Sequence, residues 1–299
     1  MERLFVKLTA RMRPPEERHL TFSSPNSFTL ATKQATKSWD GTIEYSTDAV
    51  SWSIWDGATT LSAADGKLYI RGLNNTQITG AKTAQYNNHN AWVLAGSDIS
   101  CSGSIENLLD YKQATYYQHP TMDAYCFKGI FASCTSLTTA PELPATTLAE
   151  ACYFQMFKDC TGLTTAPELP ATTLAASCYK SMFYGCTSLT TAPELPATVV
   201  ANSCYAEMFQ KCTNLETLPA LPATDMGFYC YNYMFADCTK IKLSTTQTDE
   251  YQNPYRIPTT GDGKEYNGDS RTNMFLRTGG TFTGTPTINT TYYTSNTIV

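Results

Sequence analysis

The chain has 299 residues, with 21 Lys or Arg against 26 Asp or Glu, a net charge of −5. That length suits two domains. The acidic balance argues against a nucleic-acid partner gripped through its phosphates. No apolar run approaches the ~20 residues of a membrane helix, so no membrane insertion is expected. Charged residues make up 16% of the chain, below the roughly 25% usual for soluble domains, so the surface must be polar mainly through uncharged side chains.

In chain order, residues 1–115 lack internal repetition and show strand alternation. Thr42-Ile43-Glu44-Tyr45 reads as a strand, Ser46-Thr47-Asp48-Ala49 as a turn and Val50-Ser51-Trp52-Ser53-Ile54 as the return strand. Asp65-Gly66 introduces another strand at Lys67-Leu68-Tyr69-Ile70-Arg71. The expectation is a small β-rich, sandwich-like module that also seals the first repeat. Phe5 to Arg18 reads as an ordered arm or a tether. Met1 to Leu8 lacks the apolar core of a secretory signal, so export would need a separate signal or release by lysis.

Residues 116–245 repeat with a 26-residue period. Cys126, Cys152, Cys178, Cys204 and Cys230 form one column, and Cys134, Cys160, Cys186, Cys212 and Cys238 a second. Leu137, Leu163, Leu189, Leu215 and Ile241 form a third, and the pair Met-Phe recurs at 156–157, 182–183, 208–209 and 234–235. At about 100° per residue, Leu174, Ala175, Cys178, Tyr179, Met182, Phe183 and Cys186 share one half of a helical wheel. Ala176, Ser177, Lys180, Ser181 and Tyr184 share the other half. This predicts an amphipathic helix capped by Thr172 or Thr173, then a strand at Leu189–Ala192 stopped by Pro193 and Pro196. A lone unit cannot bury its apolar half, whereas stacked units can. The fold class expected is therefore an α/β solenoid preceded by the β-rich domain. Residues 246–299 read as a degenerate repeat, with a helical fragment near Asn273–Arg277, and a polar C-terminal cap from Thr281 to Val299.

The chemistry-bearing residues are few. The 11 cysteines alternate in spacing between 8 and 18, with no close pair and no nearby His, which suits buried free thiols better than metal ligands or disulfides. Glu142, Glu168 and Glu194 stack as one column of solvated charge instead of facing across a cleft. His19, His89 and His119 lie outside the repeat. Nothing supports catalysis, and neither a cofactor nor a metal is expected. Thr138-Thr139, Thr164-Thr165, Thr190-Thr191 and Thr217 should form rows across the strand face, a surface able to bind glycan or protein, or to order water. Thr also suits exposed strand positions on propensity alone. The outer positions vary most between units: Phe154-Gln155-Lys158-Asp159 answers Lys180-Ser181-Tyr184-Gly185 and Ala206-Glu207-Gln210-Lys211. Exposed Phe154 and Tyr184 make that face a second candidate surface.

Met182-Phe183-Tyr184-Gly185-Cys186-Thr187-Ser188-Leu189 resembles the leucine-rich repeat of bacterial surface antigens, the Treponema/Bacteroides type, over residues 120–245. The strand departs from that pattern, with Thr-Thr-Ala-Pro in place of a Val/Ile run. The N-terminal stretch resembles β-modules of gut-bacterial surface proteins and of phage tail-associated proteins. These resemblances imply a non-enzymatic recognition protein, an adhesin or receptor-binding protein on a bacterial cell surface or phage tail, binding a host or cell-surface protein or glycan. The alternative is a structural subunit or spacer, in which case oligomers are possible.

Overall fold

The computed structural model describes residues 18–83, 88–114, 118–257, 264–265 and 270–299. Most of the expected arm at Phe5 to Arg18 lies outside them. Period-two burial in the first hundred residues becomes two sheets. The strands are β1 Leu20–Ser23, β2 Phe28–Thr32, β3 Thr42–Ser46, β4 Ser53–Ile54, β5 Leu61–Ala63, β6 Lys67–Leu73, β7 Trp92–Ala95 and β8 Ile99–Ser102, followed by the short helix α1 Asn107–Asp110. One sheet has the order β4-β3-β6-β1-β8-β9, where β9 is Leu137–Thr139 of the first repeat, and the other the order β5-β2-β7. The expected return strand Val50–Ile54 shrinks to β4. The cause is the Asp48 carboxylate, which accepts the Val50 and Ser51 N–H groups at 2.8 and 2.7 Å and holds the chain in a turn. Asp65-Gly66 does lead into β6; a Cβ on Gly66 (φ +69°) would meet the Ser24 carbonyl at 2.2 Å.

The repeat contains no helix among the described residues. In its place each unit carries a row of overlapping turns, at 124–133, 150–159, 176–185, 202–211, 228–237 and 270–277. Every fourth residue has positive φ: Ser177 (57°), Ser181 (53°) and Gly185 (72°) in one unit, Ser203 (55°), Glu207 (58°) and Lys211 (64°) in the next. The backbone bonds split in two. Tyr125, Phe127, Gly129, Phe131 and Ser133 donate to the Glu150, Cys152, Phe154, Met156 and Lys158 carbonyls of the following unit at 2.7–3.1 Å. Cys126, Lys128, Ile130, Ala132 and Cys134 donate three residues back at 3.0–3.3 Å. Each N–H of the row is thus satisfied, half locally and half by the neighbour.

Coil spacing explains why turns replace the helix. Phe131, Phe157, Phe183, Phe209, Phe235 and Phe275 stack face to face with centroids 5.5–5.8 Å apart. Phe127, Tyr153, Tyr179, Tyr205 and Tyr231 form a second ladder at 5.9 Å. A helix is about 10 Å across and packs at roughly 8–10 Å from its neighbour. It cannot repeat at under 6 Å, whereas turn rows joined by strand-like bonds can. The wheel misled because a four-residue step moves only about 40° around a helix, so Cys178, Met182 and Cys186 stay on one side under either geometry.

The remaining sides of each coil are short parallel pairings. Leu137–Thr139 is a strand paired with β8, and Thr139 bridges Thr165. The expected strand at Leu189–Ala192 does not form; β10 Val199–Val200 pairs instead with β12 Asp225–Met226, and that with β15 Lys264–Glu265. Thr173, expected as a helix cap, bridges Thr147 and accepts the Leu148 N–H. The fragment at Asn273–Arg277 is a further turn row, with φ of 55° and 56° at those two residues. Residues between this row and its predecessor include β13 Leu243–Ser244 and β14 Asn253–Ile257, both of which pair with β16 Thr290–Thr294. The chain ends on β17 Thr297–Ile298, parallel to β11 Thr217–Leu218.

One core runs through the whole. Trp55 meets Trp92 edge-on at 5.5 Å, and Trp92 meets Phe131 of the first coil at 6.1 Å. The Trp92 backbone N–H also donates to the Ile130 carbonyl at 2.7 Å. The buried cluster continues from Leu20 to Tyr292 without a break.

Candidate functional site

The cysteine columns point inward and stay thiols. All 11 are buried and free. In the second column the thiol donates back to an aromatic residue's carbonyl in the preceding coil: Cys160 to Phe131 at 3.0 Å, Cys186 to Phe157 at 3.1 Å, Cys212 to Phe183 at 3.0 Å. Burial pushes the Cys134 and Cys178 thiols up to about 12. The thiolate needed for nucleophilic attack or metal ligation is therefore suppressed. No group of His, Cys, Asp and Glu among the described residues is arranged to hold a metal ion, and no helix among them is long and apolar enough to cross a membrane.

The histidines are dispersed. His19 lies against Trp52 and Tyr69 with ring centroids at 5.8 and 5.1 Å. His119 Nδ1 sits 2.8 Å from the buried carboxylate of Glu106, whose carboxyl is raised by burial and lowered in part by His119. His89 packs over Gly129, where a Cβ would meet its Nε2 at 2.2 Å. Burial and then the charges of Lys128, Lys33 and Lys158 bring His89 down to about 4. Lys128 is buried, donating to the Thr83 carbonyl at 2.9 Å and to Asn88 Oδ1 at 2.6 Å. Glu142, Glu168 and Glu194 are exposed.

The threonine rows separate into two groups. Thr139, Thr164, Thr165, Thr190 and Thr191 are exposed, while Thr138 and Thr217 are half-buried. Thr138 donates its hydroxyl to the Ile99 carbonyl at 3.2 Å, and Thr217 Oγ1 accepts the Ala192 N–H at 2.7 Å. Those two hydroxyls serve the fold. Thr190, Thr191 and Thr217 border an open depression of about 370 Å³ with Glu216, Ser295, Asn296 and Thr297. Asn296 is anchored there by donating to the Glu216 and Lys240 carbonyls at 2.9 and 3.2 Å. The contribution of 295–297 comes from the return of the chain end beside β11, for which the local sequence carries no signal.

On the turn-row face, Phe154 is not the exposed anchor expected. It is 2% exposed, with the Lys128 and Lys180 ammonium groups 5.1 and 5.9 Å from its ring centre. The positive φ of Ala151 and Gln155 re-aims a side chain that a helix would have pointed to solvent. Tyr184 is half-buried between Lys158 and Lys211, whose Nζ atoms lie 5.3 and 5.0 Å from its ring centre. It lines a second depression, of about 300 Å³, with Gln155, Lys158, Ser181, Glu207, Gln210 and Tyr233. These fall in two of the columns where the sequence varies most between units.

Comparison with known protein families, curated proteins and solved structures found no match for this chain.

Proposed function

We propose that the chain is a non-catalytic recognition protein that engages a host or cell-surface protein or glycan through the outer surface of a repeat solenoid of the leucine-rich kind. It would act outside a bacterial cell or, alternatively, on a phage tail. The observation that carries this reading is the row of exposed threonines at 139, 164, 165, 190 and 191, leading into the polar depression beside Asn296. Stacked coils offer such a row to an extended partner at fixed spacing. The cysteines, leucines and aromatic ladders are committed to the core, which leaves the outer polar residues for binding.

A second reading, a structural spacer in a larger assembly, draws on a different observation. The N-terminal sheet runs directly into the first coil through β8 and β9, and one core spans both. A stiff rod docked by its N-terminal module would need such a joint.

A glycan-array and cell-binding screen of the whole chain distinguishes the two. The recognition reading expects a bound glycan or cell type and its loss in Thr190→Val/Thr191→Val, which keeps the shape and removes the hydroxyls. No binding, together with a defined ring or tube in solution, overturns it in favour of the spacer.

A further inference from the structure

We propose that the depression on the turn-row face is a saccharide-binding groove, separate from the threonine face. It runs along the stack. Gln155, Ser181, Glu207 and Tyr233 are one column of four successive coils, and Lys158, Tyr184 and Gln210 the neighbouring column. At the N-terminal end the next position in the first column is Gly129, covered by His89. At the other end Asn273 donates to the Tyr233 hydroxyl at 2.8 Å. The groove thus spans one stretch of coils, with His89 over the column at one end and Asn273 bonded to it at the other.

Gln155 points to a ligand. Its side chain is 3% exposed, and its amide Nε2 has no hydrogen-bond acceptor among the described residues. A buried donor without an acceptor is costly. Gln155 lines the groove, and a ligand oxygen that reaches this donor would satisfy it.

Beside it, Ser181 donates to Glu207 Oε2 at 2.8 Å, which fixes a carboxylate able to accept further hydrogen bonds. Lys158 brings a cation to the same groove, so its charges offset and neither an anion nor a cation is favoured as such. Donors and acceptors therefore occur together in the lining. Hydroxyl groups, which donate and accept at one atom, complement that mixture, and Tyr184 and Tyr233 add rigid amphipathic rings. An apolar ligand would find no enclosed pocket here. The lining also differs from coil to coil, so the groove is not a by-product of the repeat.

The test is saturation-transfer NMR and calorimetry on the whole chain with maltotriose, cellotriose, chitotriose and mannotriose, at concentrations where millimolar binding saturates. At least one trisaccharide should bind. Gln155→Met, which keeps length without the amide, and Glu207→Gln should each weaken it on the order of tenfold. Thr190→Val/Thr191→Val should leave it unchanged, whatever becomes of the threonine face. Absence of binding by every trisaccharide overturns the proposal. So does undiminished affinity in both Gln155→Met and Glu207→Gln with circular dichroism like that of the parent.

Discussion

Replacing Ser177 and Ser203 by glycine should stabilise the protein, the opposite of what a helical repeat would do. The two residues occupy one column in adjacent coils, with φ of 57° and 55°. Their N–H groups donate to the Asn202 and Phe228 carbonyls at 2.9 and 2.7 Å, bonds that glycine keeps. A left-handed conformation costs an L-residue about 1–2 kcal/mol. Glycine removes that strain and gives back roughly 0.5–1 kcal/mol through its freer unfolded chain. The net gain is about 0.5–1 kcal/mol per site. In a helix the same change would cost about 0.5 kcal/mol. Alanine at either site keeps the Cβ, so it should be nearly neutral here, whereas a helix would gain from it. Urea unfolding followed by circular dichroism, with a shared m-value, reads the difference as a midpoint shift. Lower midpoints in both glycine variants with higher ones in the alanine variants would refute the turn-row argument.

Two further outcomes follow from burial. Ellman's reagent at pH 8 should leave the native protein unlabelled and titrate all 11 thiols in guanidinium, because burial lifts thiols such as Cys134 and Cys178 to about 12; fast labelling of the native state contradicts this. His89, held down to about 4 against an ordinary 6.5, stays neutral when folded while the unfolded chain takes up the proton. Stability present above pH 6.5 should therefore decline toward pH 4 and then level off. The full shift corresponds to about 3 kcal/mol, reduced to roughly 1–2 by solvent screening of a ring that is only partly buried. Urea midpoints at pH 7.5 and 4.5 should fall less for His89→Gln than for the parent, and equal falls would remove His89 as the cause.

The repetition, its register and its buried columns were legible in the residues themselves. Cys126 and its equivalents, the Met-Phe pairs and the leucines recur at one offset, and identical residues at one offset must meet identical surroundings once the units stack. The strands β3 and β6 were legible too, through alternation and the Asp65-Gly66 turn. The secondary structure between the cysteines was not. A four-residue step and a 3.6-residue step place Cys178, Met182 and Cys186 alike, and the positive-φ positions carry Ser, Glu, Lys and Asp far more often than glycine, so no local signal announced the turns. Distance decided it: coils under 6 Å apart exclude helices, and that spacing is a property of the stack. The same holds for the candidate sites. The sequence marks Thr190, Thr191 and Tyr184 as exposed in type, but Phe154 turns inward because its neighbours have positive φ. Asn296 reaches the threonines only because the chain end returns to β11. Gln155 Nε2 lacks an acceptor among the described residues, which nothing in the local sequence announces. Periodicity fixes which residues are core; which outer residues meet each other is set by contacts between segments far apart in the chain.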